Sequence, residues 1–153
     1  MRPLLILAAS VALAASGIDN PQTVAFCDLL NNPQAFEGKL IRVRALYLTD
    51  FEKAVLTAPA CAVPRPVTWV SFEKSWESRT SWRLRHAMNG IKWNVESDVV
   101  LVGTFKTGGP FGHLDVYPFL FEVYRVEAVK PSGSFRPLPV RRSTPPPISY
   151  RKV

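Results

Sequence analysis

The chain has 153 residues, 47% of them hydrophobic, with 19 basic and 12 acidic side chains and a formal charge of +7. That length suits one domain that buries a core of its own and needs no metal to hold it. One basic residue, Arg2, opens the chain and five (Arg136, Arg141, Arg142, Arg151 and Lys152) follow Pro131, which leaves thirteen against all twelve acids and a body at +1; this speaks against a dedicated nucleic-acid domain, which shows a basic face of its own.

Met1-Arg2 supplies a positive start, Pro3 to Ala15 carries no charge, and the small residues Ala14, Ala15, Ser16 and Gly17 follow. These are the three parts of a secretory signal, with cleavage expected after Ala14 or after Ser16. The apolar run is shorter than the roughly 20 residues of a spanning helix, and no later segment is long and apolar enough to cross a bilayer. No cysteine stands at the cleavage zone for lipid attachment. The expected organisation is a signal peptide at 1–16, a folded domain at 17–130 and a basic Pro-rich tail at 131–153, in an exported (periplasmic or secreted) protein. Cys27 and Cys61 are the two cysteines. In an oxidising compartment they are expected to form a disulfide. A zinc site would need histidines at ligand spacing, which His86 and His113 do not supply.

Asn20-Pro21 suits a helix start, and Val24, Phe26, Cys27, Leu29 and Leu30 give an apolar helical face that Asn31-Asn32-Pro33 ends. From Lys39 to Leu48 the period becomes two: Ile41, Val43, Ala45 and Tyr47 alternate with Arg42 and Arg44, the pattern of a half-buried strand. Phe51 to Thr57 is its expected hairpin partner, with Thr49-Asp50 near the turn. Prolines make Ala58 to Pro66 a loop, and Val67 to Phe72 a third strand. Glu73 to Trp93, rich in Trp, Arg and Lys, reads as a partly helical insertion ending at Asn89-Gly90. Asp98 to Phe105 is a near-continuous apolar run, expected to be a strand buried on both faces. Thr107 to Pro110 is a turn, Phe111 to Pro118 a loop, and Phe119 to Val129 the last strand. Past Lys130, too few apolar residues remain to offset the entropy of ordering, so disorder is expected. A helical insertion between strands three and four of five predicts a mainly β, OB-like small barrel; another small barrel or a short sandwich is the alternative.

Cys27-Asp28-Leu29-Leu30, Asn32-Pro33 and Phe36-Glu37-Gly38-Lys39, leading into Ile41-Arg42-Val43-Arg44, resemble a group of small uncharacterised secreted bacterial proteins. So do Gly103-Thr104-Phe105, Gly112-His113-Leu114 with Tyr117, and Phe121-Glu122-Val123 with Val126-Glu127. The resemblance covers roughly residues 24–130. It implies an OB-like fold and brings no activity, cofactor or site residue with it.

No Gly-x-Ser-x-Gly elbow, P-loop or His-Glu-x-x-His helix occurs, so neither an enzyme nor a cofactor is expected. Carboxylates such as Glu73 and Glu96 are exposed by default. The expectation is a binding or interaction module. Trp76, Arg79, Trp82, Arg83 and Arg85 combine flat aromatic faces with planar charge, a pairing suited to a protein or glycan partner. The same residue types also stack on one another as ordinary packing. His113, in a Gly-flanked loop near Asp115 and Tyr117, is either a ligand contact or a residue that fixes the turn by hydrogen bonding. The alternative is a structural envelope-associated protein held electrostatically at an anionic surface by its basic tail; a tail of this kind otherwise serves as a solubilising extension. A hydrolase with an unrecognised site is the distant alternative.

Overall fold

The computed structural model describes residues 20–59, 61 and 67–131. The expected signal peptide, and the expected tail apart from Pro131, lie outside the described residues. Within them the alternation read in the sequence becomes strand β2 (Leu40–Thr49), where Ile41, Val43, Ala45 and Tyr47 turn inward and are buried. Strand β3 (Ala54–Thr57) returns antiparallel to it, Leu48 opposite Val55. Strand β4 (Thr68–Phe72) pairs antiparallel with β3. Helix α2, the second of the fold (Trp82–Asn89), precedes strand β5 (Ser97–Lys106), and strand β6 (Phe119–Pro131) ends the described fold. β6 lies parallel to β4 and antiparallel to β5, and β5 pairs antiparallel with β2, so five strands close into a mixed barrel. The helical insertion falls between the third and fourth barrel strands, as an OB-like barrel requires.

The beginning of the chain departs from the expected single helix. Gln22–Ala25 is strand β1, parallel to the first half of β2, and helix α1 is confined to Phe26–Asn31. Val24 faces the core from the strand; Phe26, Leu29 and Leu30 face it from the helix. The apolar spacing therefore spans a strand-to-helix switch, which a single helical period hides. The second strand is also shorter than expected. Asp50 Oδ1 accepts from the backbone N–H of Glu52 and Lys53, each at 2.9 Å, and this side-chain turn holds Phe51 outside the ladder.

β5 is less uniformly buried than its run of valines suggests. Val99, Leu101 and Phe105 fill the barrel, whereas Val100 and Thr104 are half-buried outside. Val102 is the exception, fully buried although its register partners are Arg42 and Arg125. Glu127 bridges those two arginines: Arg42 Nε donates to its Oε2 at 2.6 Å and Arg125 Nε to its Oε1 at 3.0 Å. Arg42 also reaches Thr23 on β1 at 3.2 Å. Two register shifts in the β5–β6 ladder leave Tyr124 and Glu127 as bulged residues of β6, and a bulge re-aims its side chain. Glu127 meets the arginines; Tyr124 receives Arg79, whose guanidinium carbon lies 3.9 Å from the ring centroid.

Cys27 on α1 and Cys61 form the expected disulfide, with Cα atoms 5.3 Å apart. It ties α1 to the segment that follows β3, enclosing β2 and β3 in one covalent loop.

Candidate partner-binding surface

Strand directions bring four segments to one end of the barrel. β2 ends there, the long connection from β4 to β5 crosses it, and β6 ends beside the start of β5, with Ser97 opposite Pro131. The crossover is built along β6. Glu73 N–H donates to the Val123 carbonyl at 3.0 Å, and the hydroxyl of buried Thr80 accepts from Val126 N–H at 3.0 Å. Ser81 then caps α2, its Oγ accepting from Leu84 N–H at 3.5 Å. Met88 projects from the helix into the core and closes the barrel. Asn94, at φ 60°, turns the chain back, and its N–H donates to the Thr49 carbonyl at 2.8 Å, docking the crossover on the β2–β3 turn.

The Trp/Arg segment divides in two. Trp76 packs on Phe72, ring centroids 4.8 Å apart, and lies against the core. Arg79 covers Tyr124 and is held by Glu73 and Ser75. Both side chains are engaged within the fold. Trp82 and Arg83, at the start of α2, point outward; Trp82 is 66% exposed, with the Arg83 guanidinium carbon 5.6 Å from its ring. Arg85 is half-exposed and 3.9 Å from Glu77.

Two further aromatics at this end escaped the sequence reading as site residues. Phe51, 82% exposed, and Trp93, 64% exposed, meet edge-on with centroids 6.2 Å apart. Assigning Phe51 to a strand hid it; the Asp50 turn motif two residues short of Glu52 was the signal that could have found it. Several charges nearby are internally balanced: Lys53 with Asp50 at 2.8 Å, Arg79 with Glu73, and Arg44 with Asp98. Among the described residues Lys74, Arg83 and Lys92 have no carboxylate within 4.0 Å. The carboxyls in the balanced pairs titrate low. Lys53 holds Asp50 below its ordinary value, Arg44 does so for Asp98, and the Ser75 hydroxyl together with Arg79 does so for Glu73.

His113 lies at the opposite end, in the connection between β5 and β6, and is exposed. That connection wraps an aromatic pair, Trp69 of β4 and Tyr117, whose centroids are 5.0 Å apart. Gly112 adopts φ +74° directly on the indole; a methyl group there would lie 2.4 Å from the ring. The indole is thus covered by backbone and serves the loop's own packing. Leu114 and Val116 are exposed beyond it, Leu114 in a left-handed conformation. The structure does not bring His113 to the Trp/Arg segment, and Glu73, a candidate acid–base carboxylate, is occupied by Ser75 and Arg79. Among the described residues no three His, Cys, Asp or Glu side chains gather as a metal site, and no helix is long and apolar enough to cross a membrane.

No family model matches the chain, and neither the curated proteins nor the solved structures contain a match to it.

Proposed function

We propose that this protein is an exported, non-catalytic binding module, and that it engages its partner through the barrel end carrying Phe51, Trp82, Arg83 and Trp93. One observation carries the reading. Three large aromatic side chains stand in solvent on segments that meet at one end, where the backbone beneath them is pinned to β2 and β6. Rigid aromatic anchors beside an arginine are what a partner surface uses. The module's other aromatics of this region, Trp76 and Tyr124, are spent on packing and serve to hold the anchors in place. Export is supported by the Cys27–Cys61 pair, since such bonds persist in oxidising compartments. The likeness to small secreted bacterial proteins belongs to the same proposal.

Photo-crosslinking from position 83 in intact cells, comparing the natural chain with Trp82→Ala, tests it. A crosslinked adduct at position 83, to protein, glycan or lipid and read by mass spectrometry, that Trp82→Ala removes at equal yield of folded protein is the expected result. Crosslinking that is identical with and without Trp82, or a pattern reproduced from position 114 at the far end, would sink the reading.

A further inference from the structure

We infer that the partner is an anionic phospholipid bilayer, into whose headgroup layer the aromatic end of the barrel settles. The inference rests on the binding-module reading and names the partner of that same surface. The exposed aromatics do not form one compact patch: Trp82 opens α2 and Trp93 follows it, so a helix of about 12 Å separates them. Phe51 comes from a different turn. Side chains spread in this way suit a laterally extended, soft partner. Trp in particular prefers the water–lipid boundary, where its ring is apolar and its N–H stays wet. Scattered exposed apolar residues alone would be ordinary, and charge supplies the second observation. Lys74, Arg83 and Lys92 lie on this crossover without carboxylate partners among the described residues, and they outnumber the two carboxylates there without a basic partner, Glu52 beside Phe51 and Glu96 after Trp93. β6 ends at the same end, with Pro131 opposite Ser97, and the sequence that continues from it carries five basic residues and no acid. Apolar insertion and a polybasic stretch are each weak holds on a membrane, and stable peripheral attachment takes two such signals together.

The experiment uses residues 17–153, oxidised, which contain every element of the fold. It measures co-sedimentation with vesicles of phosphatidylethanolamine and phosphatidylglycerol, against vesicles of phosphatidylcholine alone. Binding to the anionic vesicles is expected to exceed that to the neutral ones by about tenfold or more at low salt. Tryptophan emission should shift to the blue and be quenched by lipid brominated near the headgroup. The triple variant Phe51→Ala, Trp82→Ala, Trp93→Ala and, separately, removal of residues 132–153 should each lower partitioning about tenfold, and high salt should do the same. Leu114→Ala with Val116→Ala, at the far end, should change nothing. Absence of binding to anionic vesicles overturns the inference, as does binding that the triple variant keeps in full or that the Leu114/Val116 variant loses. Quenching in the natural sequence decides the matter independently of how the variants fold. A protein captured from an envelope extract and lost with the triple variant, without vesicle binding, overturns the membrane inference and leaves the module reading standing.

Discussion

A methyl group at position 103 would sit 2.3 Å from the Glu122 carbonyl oxygen and 2.6 Å from the Phe121 ring. β5 and β6 approach too closely there for any residue but glycine. Gly103→Ala is therefore expected to lower the urea midpoint, at a cost of about 1–3 kcal/mol, with the secondary structure seen by circular dichroism retained. Glu127 makes a different kind of demand. It accepts from both Arg42 and Arg125 on the outer face, over Val102. Glu127→Gln leaves both guanidinium groups short of charge and should cost about 1–2 kcal/mol at pH 7. The Arg42 hydrogen bond holds the Glu127 carboxyl below its ordinary value. A depressed carboxyl stabilises the fold above its unfolded pKa and ceases to as pH falls through the folded one. Asp98 and Asp50 behave alike, under Arg44 and Lys53. Thermal midpoints should thus hold steady down to about pH 5 and fall below about pH 4. The gap between the natural chain and Glu127→Gln should narrow over that acid range; a constant gap would show that the pairing contributes nothing through charge.

Among the elements, α1 is the one that depends most on help from outside itself. It has six residues and no side-chain cap at its start, too short to be stable alone. Burial of Phe26, Leu29 and Leu30 and the bond from Cys27 to Cys61 hold it. Cys27→Ser with Cys61→Ser is expected to cost about 3–4 kcal/mol, the chain-entropy value for a loop of this size, read by denaturant unfolding with and without reductant. Helix α2 closes the barrel through Met88, and Met88→Ala should cost about 2–4 kcal/mol. How far such elements can be read in advance follows from their period. β2 is legible because Ile41, Val43, Ala45 and Tyr47 keep strict alternation, and the disulfide is legible because two cysteines have one way to pair. β1 is not, because its four residues share an apolar spacing with the helix that follows without a break. The division of the Trp/Arg segment is not legible either. Trp76 and Trp82 are the same residue six positions apart, and what separates them is a neighbour, Phe72, brought up by β4. Phe51 and Trp93 meet from distant positions in the chain, a juxtaposition that no local pattern encodes.

At the scale of the molecule, the barrel is closed by pairings between remote parts of the chain. Leu40 lies opposite Thr104, and β6, the last strand among the described residues, pairs with both β4 and β5. A chain ending at Pro118 keeps four of the five barrel strands but loses both of β6's ladders, and it is expected to show no cooperative melting transition. The same closure sets a timetable. Hairpin β2–β3 can form as soon as it is made, but the seam between β2 and β5 demands a long loop to shut before it returns any stability. Ile41, Val43 and Leu101 wait uncovered until then. Folding is thus a late event, available only after Pro131 has left whatever machine delivers the chain, and the interval before it is when this protein most needs an escort.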